Sequence, residues 1–440
     1  MVTGNRRTRW RSRLFAPIDG ASLAVFRMCF GGIMLYEMLA FLFSGDVYWH
    51  FVAPQFHFYY PGFSWVKPWP GWGMTVHFWV LAVLAALVMV GLWYRVSIAL
   101  FCIGWTYVFL LEATEYLNHF YLICLISFLL IFIPAHQVWS VDAWRRKRDP
   151  FVPVWSLWLL RAQLGIVYFY AGVAKINPDW FRGEPLRSWM TELTHRPILG
   201  ALLHEEWMVM LFVYGGLMLD LFITPLLLWR RTRPVAFVAV SVFHLTNATV
   251  FGIGIFPWMM LTTTFLFLEP GWPRRLVARP AAAAVPAAFP YRPRTVQLLA
   301  IYLALQILLP LRHFLYPGEV SWTEEGHKFS WHMKLRQKEA TAKFWATDRL
   351  TGRTWLVAPE DYITLRQYVR MSTRPELILQ FAHHIAEDEA RHGRGEVAVR
   401  AEVVASLNSH PPQALIDSNV NLVAQTDSWR PAAWIVPLKE

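Results

Sequence analysis

At 440 residues the chain has room for two or three ordinary domains, but 56% of it is hydrophobic and only 16% is charged, with 24 Trp and a mean hydropathy of +0.33. An average soluble domain carries about 25% charged residues, so a disordered chain, a disulfide scaffold and an ordinary cytosolic enzyme are excluded, leaving an integral membrane protein with a soluble part. The net charge of +11 resides in residues 1–317, which carry +12 against −1 for 318–440, a pattern of basic loops beside apolar spans and not a nucleic-acid-binding surface.

A spanning helix needs about 20 mostly apolar residues. In chain order, nine stretches meet or approach this: 20–43, 73–94, 96–113, 119–135, 152–176, 207–229, 234–251, 253–269 and 295–314. The expected fold class is therefore an α-helical polytopic membrane bundle of about nine spans. Its even gaps are basic, with Arg6, Arg7, Arg9, Arg11 and Arg13 ahead of the first span, then Arg95, 145–148, Arg230, Arg231 and Arg233, and Arg274, Arg275, Arg279, Arg292 and Arg294. The odd gaps hold Asp46, Glu112, Glu115, Asp179, Glu184, Glu205 and Glu206. Positive-inside ordering puts the N-terminus in the cytoplasm and the C-terminal domain outside it. No small-residue cleavage site follows the Arg-rich start, so the first span reads as retained.

Residues 270–292, rich in Pro and Ala, read as a cytoplasmic linker, and residues 1–317 as the transmembrane domain. Residues 318–440 form a C-terminal extracytoplasmic, mainly-β (α+β) domain. Strands are expected at 328–338, 340–348, 354–357 and 397–405, with a Gly-containing hairpin at 350–353, and helices at 361–371 and 375–392. No internal repeats are seen.

Ionisable groups inside a bilayer are costly, so each is a functional candidate. Arg27, Glu37 and Asp220 read best as buried ion pairs that fix packing, Arg27 with Glu37 or Asp220. In the fifth span, Arg161, Tyr168 and Lys175 recur every seven residues and share a helical face, with Gly172 leaving room for a ligand or another helix. Lys175, at the outer end, reads equally as a base activated by desolvation and as a snorkelling lysine. Asn118 and His119 open the fourth span, where a lone His is more often structural than a proton carrier. His244 and Asn247, one turn apart, would line a cavity or bond neighbouring helices. His383 and His384 beside Glu387, Asp388 and Glu389 lack a well-spaced third ligand, so a solvated helix face is expected and no metal. Cys29, Cys102 and Cys124 all lie in apolar spans and read as core fillers.

Longer strings then carry a resemblance: YFYAGVAKINPDW at 168–180, LNHFY at 117–121, GLMLDL at 216–221, FHLTNATVFGIGIFP at 243–257, WPRRLV at 272–277 and HFLYPGEVSWTEEGHKFSW at 313–331. Together they closely resemble vitamin K-dependent gamma-glutamyl carboxylase and its HTTM relatives, from about residue 15 to 438. The resemblance implies a membrane lysine that deprotonates vitamin K hydroquinone, capture of O2 to give a strongly basic alkoxide, and removal of a γ-proton from a peptide glutamate. The carbanion then adds CO2, giving γ-carboxyglutamate and vitamin K epoxide with no metal. The family's lysine falls on Lys175, its asparagine–histidine pair on Asn118 and His119, and its glutamate-associated segment on residues 322–326, including Trp322 and Gly326. Tyr168, Arg161, His244 and Asn247 join Lys175 as expected quinol-binding residues.

Such chemistry fits the residues. A glutamate γ-hydrogen is too weakly acidic for any side-chain base, and a stronger base made in place needs a cavity that excludes water. Implied partners are a glutamate-containing peptide or exported protein and membrane lipid. This chain departs from the vertebrate enzyme in having Ala174-Lys175 where that enzyme has a lysine doublet, in its shorter length, and in lacking a cysteine pair. Its excess of Arg over Lys, and a sole Asn-x-Ser/Thr sequon (Asn247) inside a span, suit a bacterial plasma (inner) membrane. Two competing readings stand beside carboxylation: quinol epoxidation alone, and a non-enzymatic quinone- or partner-binding scaffold.

Overall fold

The computed structural model describes residues 12–146, 149–193, 200–203, 205–277, 287–426 and 430–439. All nine apolar stretches are helical: α1 Ala21–Ser44, α2 Gly73–Val90, α3 Tyr94–Leu111, α4 Asn118–Phe132, α5 Val154–Ala174, α6 Glu206–Leu228, α7 Arg233–Val250, α8 Phe256–Thr264 and α9 Pro293–Leu311. Six of them (α1, α2, α3, α5, α6 and α9 with its 3₁₀ extension) are long and apolar enough to cross a bilayer. The apolar α4 is shorter, and so is α8 with its 3₁₀ extension to Phe267. The 18-residue α7 carries Ser241, His244, Thr246, Asn247 and Thr249, which lower its hydropathy. A two-stranded ribbon, β1 Pro17–Asp19 against β2 Phe151–Pro153, ties the start of α1 to the start of α5. Residues 278–286 of the expected linker, and Arg6, Arg7, Arg9, Arg11, 147–148 and Arg279 of the basic gaps, lie outside the described residues.

Arg27 corrects the ion-pair expectation. It is wholly buried, and its guanidinium donates to the carbonyls of Ala135 (3.2 Å), Val88 (2.7 Å), Trp139 (2.6 Å) and Met89. These are helix-end and loop oxygens, of which Val88 also accepts the capping Gly91 N–H at 3.1 Å, and a planar five-donor group serves several at once. Neither Glu37 nor Asp220 is its partner.

The close approach of α5 and α6 sets the geometry of the site. A Cβ on Gly172 would sit 2.7 Å from Leu221 Cδ2 and 3.0 Å from the Leu221 backbone nitrogen, so Gly172 seats the second helix and does not open space for a ligand. One turn further on α6, Gly216 lies beside the Lys175 stem, 3.9 Å from its Cε.

Beyond α9 the chain forms an antiparallel sheet in the order β4-β3-β5-β6, where β3 is Lys338–Asp348, β4 Thr354–Val357, β5 Val397–Leu407 and β6 Gln413–Ala414. Alternate β5 residues (Val397, Val399, Ala401, Val403, Ala405, Leu407) are buried, as period-2 patterning requires, and the helix Pro375–Arg391 covers that face with Leu377, Ile378, Phe381 and Ile385. The shorter α10 begins at Leu365 and not at 361, because Thr364 and Gln367 form a capping box; α10 is Leu365–Met371 and α11 Pro375–Arg391.

The expected strand at 328–338 is a correction. It runs as turns, with Phe329, Trp331 and Lys334 at positive φ. Its large side chains serve different clusters: Trp331 packs with the helical bundle, Leu335 with the segment after α5, and Phe329 with the core of the C-terminal part. A strand sends side chains to two faces only, so this segment cannot be one.

The core of the C-terminal part continues into the membrane part, where Phe58, Tyr60, Phe109 and Tyr116 join Trp322, Phe344 and Phe381. Polar ties reinforce the join. Gln367 donates to the Phe56 carbonyl (2.7 Å) and Glu112 (2.9 Å), and Arg366 forks onto Glu115 at 2.5 and 2.6 Å.

Because a Cβ on Gly172 would press on both the side chain and the backbone nitrogen of Leu221, Gly172→Ala is expected to lower stability by about 1–3 kcal/mol through overpacking. Gly215→Ala, where nothing lies within 4 Å, should be neutral. Thermal unfolding of the two purified variants in one detergent checks this.

Candidate active site

The string AKINPDW breaks the chain sharply. Asn177 Nδ2 donates to the Ala174 carbonyl at 2.9 Å, closing α5, while its Oδ1 accepts the Trp180 N–H at 2.9 Å, opening the short helix Pro178–Phe181 with Pro at its first position. Lys175 caps α5 and is turned inward, 6% exposed. Its ammonium lies 2.6 Å from Asp220 Oδ2 and 3.2 Å from the Ala171 carbonyl, with the Trp180 ring centroid at 5.2 Å. Asp220 is 5% exposed and lies 14 residues into α6, about 21 Å along its axis. The lysine therefore does not snorkel: its partner lies deep along the neighbouring helix.

These two groups open on a cavity of about 80 Å³, room for a few water molecules. Tyr168, Lys175, Asp220, His244 and Asn247 line it, and Phe212, Phe243, Phe256, Met260 and Met333 supply apolar walls. Tyr168 Oη and His244 Nε2 are 2.7 Å apart, and the buried His244 Nδ1 has no hydrogen-bond partner among the described residues. With the Tyr168 hydroxyl donating to Nε2, Nδ1 carries a hydrogen that only a ligand or water can accept.

The other expected residues are distributed around this centre. His119 does not line the cavity; its ring packs on Phe120 and, at 5.8 Å, on the cavity residue Phe256. Asn118 accepts from the Tyr116 hydroxyl (2.9 Å) and donates to the His332 carbonyl (2.8 Å), pinning the turn segment to the start of α4. Arg161 is committed elsewhere, donating to the carbonyls of Leu266 (2.8 Å) and Leu268 (3.0 Å). Trp322 is wholly buried, its indole donating to the Val436 carbonyl at 2.8 Å.

Gly326 lines a second, outer cavity of about 690 Å³ between the two parts of the chain, with Tyr60, Arg312, Glu324, Lys328, Glu376 and Arg430 among its walls. At φ +73, Gly326 lets the chain pass the His313 backbone, where a Cβ would come within 2.7 Å of Cα. Lys328 pairs with Glu376 at 2.6 Å. Burial opposes it, but Lys328, Arg374 and Arg312 together hold the Glu376 carboxyl below its ordinary value.

Two family models cover nearly all of this architecture. The HTTM domain matches residues 15–272, including every residue of the Lys175–Asp220 cavity up to Met260, and the vitamin K-dependent gamma-carboxylase lumenal domain matches 291–440. The chain belongs to the vitamin K-dependent gamma-carboxylase family. No solved structure matches it. Among the described residues, no cluster of His, Cys, Asp or Glu is arranged to hold a metal ion.

For a member of this family, the residue that sequence reasoning misplaced is Asp220. A lone carboxylate in an apolar helix demands a cation, and Lys175 meets it. His332, Met333 and Lys334 were hidden within an expected strand. Removing the Tyr168 hydroxyl leaves His244 Nε2 buried and unpartnered, so Tyr168→Phe is expected to lower stability by about 1–3 kcal/mol. It should also weaken binding of a quinone analogue, read by thermal-shift titration; unchanged stability and affinity would remove the Tyr168–His244 pair from the site.

Proposed function

We propose that this chain carries out vitamin K-dependent gamma-carboxylation of peptide glutamate coupled to epoxidation of vitamin K hydroquinone, with Lys175 as the base. The observation that carries this reading is the buried Lys175–Asp220 pair, 2.6 Å apart in an apolar cavity. Family membership supports it. The hydroquinone, when bound with O2, supplies a base strong enough for the glutamate γ-carbon, and CO2 completes the product.

The chain's own residues fit that group. Aromatic and methionine walls suit an apolar ring system, and the free His244 Nδ1, Asn247 and Lys175 offer polar atoms for two ring oxygens. The present free volume is small, so the ring enters only as these side chains give way. Across its short hydrogen bond, Asp220 takes up a proton from the ammonium, which leaves a neutral amine. That amine receives the first proton from a hydroxyl, and the pair ends as ammonium beside neutral carboxyl. The apolar walls keep out water that would quench a strong base.

The outer cavity is the place for the peptide. Arg312, Lys328 and Arg430 supply cationic groups for a glutamate carboxylate, and the segment 322–326 forms part of the wall through Thr323, Glu324, Glu325 and Gly326. Asn118 and His119 serve this half-reaction through the turn segment and the Phe256 wall. In this reading residues 1–317 cross the membrane nine times, the N-terminus lies in the cytoplasm and residues 318–440 lie outside, where exported proteins are met; the basic even gaps support that orientation.

The test supplies membranes containing this chain with vitamin K hydroquinone, O2, labelled bicarbonate and a glutamate-rich peptide. Label in the peptide and vitamin K epoxide should both appear, and both should fall by about 10²–10⁴-fold in Lys175→Ala. Epoxide without label would restrict the reading to quinol oxygenation. Neither product from folded protein would leave a binding scaffold.

A further inference from the structure

The two cavities share one wall, the turn segment from Gly326 to Lys334. Gly326, Lys328 and Phe329 face the outer cavity, and Met333 and Lys334 face the Lys175 cavity. His332 lies within that wall, 6% exposed, and neither ring nitrogen has a hydrogen-bond partner among the described residues. Leaving both nitrogens of a buried imidazole bare costs about 1–3 kcal/mol or more, so the arrangement calls for a function.

Its neighbours indicate which. The His332 backbone is fixed, since Asn118 donates to its carbonyl and Trp331 beside it packs on Tyr121 at 5.1 Å. On one side its ring stands perpendicular to His313 with centroids 4.8 Å apart, and His327 is at 5.3 Å. His313 Nδ1 donates to the Pro310 carbonyl at 2.7 Å, so the Nε2 of a neutral His313 is its acceptor. His313 is half-buried and borders the outer cavity through Arg312. Toward the other side the next residue in the chain, Met333, lines the Lys175 cavity. Burial first, then His313 and Lys175, hold the imidazole down to about 3, so it rests neutral with one donor and one acceptor nitrogen.

We propose that His332 is a proton relay joining the Lys175 cavity to the outer cavity by way of His313. This rests on the reading of Lys175 as a base. A base that takes a proton at each turnover must lose it before the next. Between turnovers the Lys175 ammonium gives one proton, through one water admitted to the cavity, to the bare His332 nitrogen. Once the rings turn from their perpendicular packing into a hydrogen bond, His332 passes the hydrogen on its other nitrogen to His313 Nε2, and His313 releases that proton to the outer cavity. No bond to carbon forms or breaks and no electrons move; one proton enters the chain and one leaves.

Two readouts test this on the full-length protein in lipid nanodiscs. The first needs no quinol: ¹⁵N NMR of histidine-labelled protein, with the His332 signal assigned by its loss in His332→Phe, should show a neutral ring with a non-bonded nitrogen. A charged ring or two bonded nitrogens would overturn the relay. The second is kinetic. In His332→Phe the first-turnover epoxide yield should match the wild type, while steady-state turnover falls by about 10²-fold and added imidazole restores part of it. His313→Phe should show the same division and serves if His332→Phe does not fold. An equal loss in both phases, an unchanged steady state, or no imidazole rescue in folded variants would overturn the proposal. If the wild type itself forms no epoxide in a first turnover, the reading of Lys175 falls, and the relay with it.

Discussion

A positive and a negative charge brought together in an apolar helical bundle are the constraint around which the rest of the membrane part is arranged. Lys175 and Asp220 are each almost fully buried, 2.6 Å apart. Removing two ions from water is expensive, and their attraction returns that energy only when the geometry is held. The surrounding sequence holds it. Asn177 and Pro178 end α5 at the lysine, Gly172 lets α6 approach, and Gly216 leaves space for the lysine stem. A pair of this kind is a poor device for stability, because apolar residues of the same volume do as well or better. Its retention at the wall of a cavity with Tyr168, His244 and Asn247 therefore points to chemistry.

The second organising element is the turn segment between α9 and β3. It is tied to α4 through Asn118 and to the backbone of His313 through Gly326, and it sends Phe329, Trp331 and Leu335 into separate cores. The segment therefore does three things: it closes the inner cavity, walls the outer one and locks the two parts of the chain together. Reactions that must exclude water at one centre and admit a peptide at another need such a partition.

Much of this was legible in the sequence. Hydropathy located all nine helices to within a few residues, because a continuous apolar run has few alternatives. The strand expected at 397–405 and the helix expected at 375–392 are β5 and α11, whose buried faces follow periods of 2 and 3.6. Lys175, Tyr168, His244 and Asn247 were named as candidates, and they meet at one cavity. What failed was partnership. Asp220 and Lys175 are 45 residues apart in the chain, and helix pairing is not written in either helix alone. Arg27 suggests a carboxylate partner by its charge but serves four carbonyls, whose meeting depends on how helix ends and loops converge. Residues 328–338 alternate like a strand, yet their positive-φ turns follow from tertiary packing that no local pattern encodes.

A double-mutant cycle on Lys175 and Asp220 addresses the central claim, that the pair is kept for reactivity and not for stability. Unfolding would be measured for the wild type, Lys175→Met, Asp220→Leu and the double variant, with epoxide formation followed in each. Each single change should cost about 3–5 kcal/mol by stranding a buried charge, while the double variant returns to wild-type stability or above, and all three lose turnover. A double variant as unstable as the singles would make the pair structural, and a double variant that still forms epoxide would contradict the account outright.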